Sequence, residues 1–374
     1  MAEALNTRLV GHLDCPGGGQ VWVDGRTLFI GHMHHPDGTT LVDVSNPREP
    51  RVRARVEIPK GWHSHKVRAA NGVMLVNNER YGHDNPEFGG GLGIYDVANP
   101  ASPRLITKWR TAGGGVHRFS FDGRYAYISP TAEGYTGNIM MILDLADPAR
   151  LREVGRWAAP GQWTAGGEQY PGTEQRELRC HHPLRLGNRL YVSYWHYGRV
   201  ILDIENMAHP RTVVHLNTSA NYPSPTHTCL PISHTVNGRR VMVVSDEDVA
   251  KLRPAPPSFA WIYDITDETA PVPISTFRVA GLDRDGSPQP DMTGCHQPSE
   301  RVAGLVIPFA WFSCGLRLVD ISDPFAPREA GYYTPDVPEG HTRVSSNDVT
   351  IDDRGLIYLI DRQRGLDIIE SSAL

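Results

Sequence analysis

Five histidines recur at related places along this 374-residue chain: His65, His117, His181, His227 and His296. Their surroundings agree in part, with Cys180-His181-His182-Pro183 matching Cys295-His296-Gln297-Pro298. Aligned on the repeat described below, they fill five of seven equivalent slots, and Gln20 and Asn347 fill the other two. A lone histidine at such a place is ordinarily a polar residue satisfied by a turn or by water. With 17 histidines in the chain, chance would put fewer than one in seven chosen slots. Neutral imidazole nitrogen ligates Zn, Cu, Fe and Ni, so a ring of imidazoles predicts a bound metal. Without one, the protonated rings would repel each other. A slip of one residue in the alignment would put His182 in place of His181.

A second set follows the same register: His34, Glu79, Thr131, His196, Glu247, Trp311 and Arg362. Glu79 and Glu247 fall in repeats that also carry a slot histidine. A ligating histidine commonly gives its other N–H to a carboxylate, so these glutamates are expected to orient imidazoles or to move protons. A single loop glutamate would be read as surface. His32, His34 and His35 cluster and would make a further site or exposed loop histidines. His63 and His341 lie in approach loops, within reach of a substrate. Cys180, Cys229 and Cys295 stand next to slot histidines and should pack between sheets. Trp62, Trp163, Trp195, Tyr197 and Trp311 are candidates for a pocket wall. The glycine runs 89–91 and 113–115 lack the strand-to-helix context of a phosphate loop. No serine nucleophile elbow is visible.

The elements that must position these residues come from a recurring phrase. Leu41-Val42-Asp43-Val44-Ser45-Asn46-Pro47 returns as Ile94-Tyr95-Asp96-Val97-Ala98-Asn99-Pro100, then around Asp144, Asp203 and Asp264, then as Leu318-Val319-Asp320-Ile321-Ser322-Asp323-Pro324. A truncated copy, Leu366-Asp367-Ile368-Ile369-Glu370, closes the series. Successive aspartates are 47 to 61 residues apart, near the period of a four-stranded propeller blade. Each phrase is an apolar β run, an Asx-Pro turn and a second β run. The expected fold is all-β, a single seven-bladed β-propeller over residues 1–374. Its blades cover about 19–58, 64–111, 116–158, 180–217, 226–280, 295–334 and 346–370. The strand 8–14 has no blade of its own, and the last copy lacks a partner strand. Pairing the two would complete the last blade and close the ring. The slot histidines would then begin the innermost strands, at the mouth of the central channel. Long loops at 80–92, 130–138, 159–180, 246–259, 281–295 and 334–346 would elaborate the same face.

Composition bounds the setting. The net charge of −5 and the absence of a basic block argue against nucleic acid or acidic membrane as partner. No apolar run reaches the ~18 residues of a spanning helix, and Met1-Ala2-Glu3-Ala4 opens no signal peptide. Five cysteines without CxxC spacing suit a reducing cytoplasm. A homo-oligomer is compatible with all of this.

The phrases Leu41-Val42-Asp43-Val44 and Leu318-Val319-Asp320-Ile321 resemble the LVIVD repeat, which implies a seven-bladed propeller. More distantly, the layout is similar to the selenium-binding protein and methanethiol oxidase group, where histidines and a metal are implicated. It also resembles carotenoid-cleaving oxygenases, propellers whose axial iron is held by four histidines with outer glutamates. The parallel to those enzymes is architectural, through His65, His117, His181, His227 and His296 with Glu79 and Glu247.

Three functions follow as expectations. The first is a metal-dependent oxidoreductase of oxygenase type, using Fe(II) or Cu on a small organic substrate, with an aromatic one within scope. The second is a Zn- or Mn-dependent hydrolase or lyase, with Glu79 or Glu247 moving protons. The third is a non-catalytic propeller that binds a protein on one face.

Overall fold

The computed structural model describes residues 2–80, 90–172, 178–217, 222, 224–248, 258–280 and 292–374. Antiparallel strands account for nearly all regular structure, with a single 3-10 turn, Thr164–Gly166, among the described residues. No helix among them is long and apolar enough to cross a membrane. The chain divides into two compact units, one of Met1–Leu28, Asp43–Arg51 and Tyr222–Leu374, the other of Phe29–Val42 and Val52–Asn221.

In the second unit, Trp62–His63 and Val67–Ala70 both pair with Val73–Arg80, which continues through Gly91–Asp96 to Arg104–Arg110. Val116–Phe121, Tyr125–Pro130, Met140–Asp144 and Arg152–Trp157 form a four-stranded meander. Leu178–Leu186, Arg189–Trp195, Arg199–Asp203 and Arg211–Leu216 repeat it. In the first unit the same order runs Thr226–Pro231, Val241–Asp246, Ala260–Asp264, Val272–Phe277. It runs again as Gln297–Pro298, Val306–Ala310, Leu316–Asp320, Arg328–Thr334. Ser346–Ile351, Ile357–Asp361 and Gly365–Ser371 are followed in their sheet by Thr7–Asp14, so the N-terminal strand does pair with the last copy of the phrase. A short strand not expected from the sequence, Glu3–Leu5, adds to Arg328–Thr334. Another sheet has the order Gly18–Asp24, Thr27–His32, Asp37–Asp43, Arg51–Glu57.

Burial explains why these sequences take these places. Middle strands such as Met140–Asp144 are buried throughout, whereas outer strands such as Arg104–Arg110 alternate and stay half wet. Between neighbouring sheets of the second unit, Tyr127, Met140, Ile142, Leu190, Val192 and Tyr194 pack into one apolar layer. Each such aliphatic side chain contributes roughly 1.5–3 kcal/mol by leaving water.

The repeated phrase does one job in each copy. The Oδ1 atoms of Asp43, Asp96, Asp144, Asp203, Asp264 and Asp320 accept the backbone N–H two residues on, at 2.8–3.0 Å. The next Asx of the phrase caps the following turn in the same way, as Asn99 does for Ala101 and Asp147 for Ala149. In four copies an arginine eight residues after the aspartate reaches its other oxygen: Arg104, Arg152, Arg211 and Arg328. Asp367, in the truncated copy, is held by His12 of the N-terminal strand at 2.8 Å and by Arg364.

Of the expected long loops, those at 80–92, 159–180, 246–259 and 281–295 lie largely or partly outside the described residues, as does Gly89.

Candidate metal centres

The slot histidines sit where the innermost strands lose register. Pairing skips from Val116 to Phe119, from Leu178 to His182, from Thr226 to Thr228 and from Ser346 to Asp348. The skipped residues include His117, His181, His227 and Asn347. His65 lies in the gap between Trp62–His63 and Val67–Ala70, and His296 immediately precedes Gln297–Pro298. A bulge releases one residue from the ladder and re-aims its side chain. Polar side chains of the adjoining strand satisfy the displaced backbone. Ser129 Oγ accepts the Arg118 N–H at 2.9 Å and donates to the Arg118 carbonyl at 2.8 Å. Asn77 Oδ1 accepts from Lys66 N–H, and Ser193 Oγ from His182 N–H.

In the second unit the ring of His117 lies 5.1 Å from that of His65 and 4.9 Å from that of His181, with His63 4.0 Å from His65. His65 and His181 are buried. Glu79 ties the group together. Its carboxylate accepts from His117 Nδ1 at 2.8 Å and from His63 Nε2 at 2.8 Å, and Arg179 stands 3.7 Å away. With Nδ1 donating, the lone pair of neutral His117 is on Nε2. Burial alone would raise the Glu79 carboxyl, but His117 and His63 outweigh it and hold it well below the usual carboxylate range. Burial and then Arg179 bring His117 down to about 3, against the opposing pull of Glu79. The arrangement is therefore an ionised Glu79 receiving an N–H bond from a neutral His117. Burial, with neighbouring histidines and cations, pushes His65 and His181 well below the ordinary imidazole value. Neutral imidazoles are the form that binds metal.

In the first unit His227 and His296 lie with ring centroids 4.2 Å apart, both buried. Their Nε2 atoms face the two oxygens of Glu247, at 4.0 and 3.9 Å. Glu247 thus stands differently from Glu79: it faces the outward nitrogens of its histidines, while their Nδ1 atoms contact Thr228 Oγ1 and the Asn347 carbonyl.

An aromatic covers a histidine in each group, from strained backbone. Trp195 (φ 50°) lies 5.3 Å from His181 and beneath Arg179, and Phe312 (φ 40°) lies 4.4 Å from His296 and beneath Arg362. Left-handed backbone at such residues costs about 1–3 kcal/mol and tends to persist at functional sites.

The remaining candidates fall elsewhere. His181, not His182, is the ring beside His117; His182 is 6.5 Å from His181. His32 is buried against Thr40, while His34 and His35 are exposed. Thr131 bonds the backbone of 112–115, and Trp311 gives its Nε1–H to the Thr293 carbonyl. Arg362 donates to Asn347 Oδ1 at 2.7 Å, so the slot asparagine has a cationic hydrogen-bond donor where other repeats carry a glutamate. Tyr197 is buried against His215, and Trp163 is half exposed. His341 is exposed. The cysteines form no disulfide and are buried, with Cys180 in the apolar layer between sheets. His63 is a full member of the second unit's group, and its spacing of two from His65 on an extended segment was the available signal. A cavity of about 410 Å³ in the first unit is lined by Leu305, Val306, Ile351, Leu356 and Ala373 at hairpin turns, and none of the slot histidines reaches it.

LVIVD repeats are matched at residues 87–111, 113–159, 186–218 and 310–335 of this all-β chain. Solved structures of similar fold include the periplasmic gluconolactonase PpgL of Pseudomonas aeruginosa, 12% identical with a TM-score of 0.61, over 93% of this chain and 96% of that one. Sqt1 of Saccharomyces cerevisiae is 9% identical with a TM-score of 0.56, over 99% of this chain and 90% of that one. The computationally designed Ika8 protein is 8% identical with a TM-score of 0.53, over 97% and 99%. At these identities the likeness is one of fold. No curated protein sequence matches the chain.

Proposed function

We propose that this propeller is a metal-dependent enzyme that acts on a small organic substrate, with an oxidoreductase of oxygenase type as the first reading. The observation that carries it is the His63–Glu79–His117 arrangement: a largely buried carboxylate lies within hydrogen-bond length of His63 Nε2 and His117 Nδ1, with the His117 ring 5.1 Å from that of His65 and 4.9 Å from that of His181. That is how a protein prepares neutral histidines to ligate. His65, His117 and His181 in the second unit and His227 and His296 in the first are the ligands of this reading, each unit with its own group, and its seven-bladed count with closure by the N-terminal strand belongs to the same proposal.

The donor set fits Fe(II) first, then Cu, with Zn or Mn as the hydrolytic alternative. A bound ion would supply a Lewis acid with open positions for substrate oxygen. The chain's own residues do the rest. Glu79 holds the tautomer of His117 and His63. The cations Lys66, Arg118 and Arg179, which act on the cluster's histidines, offer counter-charge to an anionic group of the substrate. Trp195, stacked beside His181, presents an apolar face to the rest of it.

A Zn- or Mn-dependent hydrolase is the second reading. It is favoured by the His227–Glu247–His296 group, because two histidines and a glutamate are also the donors of hydrolytic zinc sites. The gluconolactonase shows that such a fold can carry an enzyme. Elemental analysis of untagged protein, with a visible spectrum, separates the readings. Coloured copper or oxygen-sensitive iron supports the first, colourless zinc or manganese the second. Protein that neither retains nor takes up any transition metal sinks both and leaves a non-catalytic interaction role.

A further inference from the structure

We infer that His227, Glu247 and His296 form a self-contained metal site of two histidines and one carboxylate, in which Glu247 is itself a ligand and not an outer hydrogen-bond partner. This deepens the metal-enzyme reading and rests on it for the presence of a metal.

The hydrogen-bond bookkeeping fixes the tautomers. Gln297 gives its amide N–H to the Pro298 carbonyl at 2.8 Å, which turns its Oε1 toward Thr228. Thr228 gives its one hydroxyl proton to that Oε1 at 2.8 Å. In the 3.0 Å contact with His227, Thr228 Oγ1 must therefore accept, and His227 Nδ1 carries the proton. His296 Nδ1 faces the Asn347 carbonyl, which can only accept, so it too is the protonated nitrogen. In the neutral form of each ring the lone pair is on Nε2, and both Nε2 atoms face Glu247.

Three electron-pair donors thus converge inside the protein. The gaps of 4.0 and 3.9 Å exceed hydrogen-bond length. With metal–nitrogen and metal–oxygen bonds near 2.1 Å, two donors on one ion stand ~3.0 Å apart when adjacent and ~4.2 Å apart when opposite. The observed spacings lie inside that interval. One ligand atom from each of the three residues lies within 4.8 Å of the others.

The backbone holds the carboxylate in place. Glu247 N–H donates to the Pro225 carbonyl at 2.9 Å, two residues before His227. Asp248 N–H donates to the Cys295 carbonyl at 3.1 Å, next to His296. Asp248 Oδ2 in turn accepts the Gly294 N–H at 2.9 Å. The strand end bearing Glu247 is thereby pinned between the two segments that bear the histidines. Mixed nitrogen and oxygen donors with three protein ligands select a divalent first-row ion such as Fe(II), Mn(II) or Zn(II) and leave positions for a substrate with oxygen donors. Glu79 differs in contact: its oxygens lie within hydrogen-bond length of His63 Nε2 and His117 Nδ1, although with His63 and His65 it too brings three possible donor atoms within 4.8 Å of one another.

The test uses the full chain, stripped of metal and titrated with Co(II), whose visible absorption reports the ligand set. Glu247→Gln and Glu79→Gln are compared with the parent, each checked for folding by thermal melt. Loss of an outer partner lowers affinity 10- to 100-fold. Glu247→Gln is expected to lose more than 100-fold and to change the Co(II) spectrum, whereas Glu79→Gln keeps the spectral shape. His296→Ala, which leaves the Glu79 group untouched, should lose the same band, and Glu247→Asp should retain part of the affinity. A parent that binds Co(II) and a Glu247→Gln variant with the parent's spectrum and less than tenfold weaker binding would overturn this inference alone. A parent that binds no Co(II), Zn(II) or Fe(II) would overturn the enzyme reading with it.

Discussion

Replacing Glu79 by glutamine removes one negative charge and half of one acceptor pair without changing shape. In the parent, one oxygen serves His63, and His117 Nδ1 lies 3.0 and 2.8 Å from the two. Glutamine offers one oxygen and an NH₂, so one imidazole N–H must lose its acceptor or its ring must change tautomer. The largely buried Arg179, 3.7 Å from Glu79, loses its anion as well. A hydrogen bond to a charged group contributes about 1.5–3 kcal/mol, and tenfold in affinity is about 1.4 kcal/mol. Loss of one such bond therefore predicts metal affinity weakened roughly 10- to 100-fold, the range seen when outer partners of metal-binding histidines are removed. The assay is competition with a chelator of known affinity on folded protein at pH 7.5. Glu79→Gln binding within twofold of the parent would refute the view that this carboxylate prepares His117 for a metal.

Two further outcomes are expected. The carboxyls of Asp96, Asp144, Asp203, Asp264 and Asp320 are held below their ordinary value. Arg104 does this for Asp96, and the Ala146 and Glu205 backbone N–H groups do it for Asp144 and Asp203. For Asp264 and Asp320, burial is outweighed by Thr266 and Ser322 together with Arg239 and Arg328. A folded-state value below the unfolded one means stability that is present above about pH 4 and lost as pH falls through the folded values. Melting temperature should hold from pH 7 to 5 and drop steeply below 4; a flat profile down to pH 2.5 would contradict these turns as the acid-sensitive element. Burial pushes the Cys180 and Cys295 thiols well up and Cys314 up to about 11. These three should resist a thiol reagent at pH 7.5 while the protein is native and react once it is unfolded, and rapid native labelling would contradict their burial.

What could be read from the chain was whatever each repeat does locally. Asp43 and its counterparts each bond a backbone N–H two residues away, so the phrase itself encodes the turn and, by recurrence, the sheets. The slot histidines were legible for the same reason, because one position per repeat kept its chemistry while its neighbours varied. The bulges were not legible. They depend on Ser129, Ser193 and Asn77 answering backbone groups on a neighbouring strand, and a serine or asparagine in a strand announces nothing by itself. The different roles of Glu79 and Glu247 were equally hidden. Both follow the same register, and it is the Thr228–Gln297 chain and the Asn347 carbonyl, on Nδ1 of His227 and His296, that leave Nε2 of those rings toward Glu247. The strand Glu3–Leu5 escaped notice because three residues carry no period.

The most direct test of the account is the metal content of untagged protein, by elemental analysis, in the parent and in His117→Ala and His296→Ala. The account predicts stoichiometric transition metal in the parent and, in variants that still melt cooperatively, loss of the metal held by the group each substitution disrupts, His117→Ala acting on one group and His296→Ala on the other. Full retention of metal in both variants, or a parent that binds none, would contradict it.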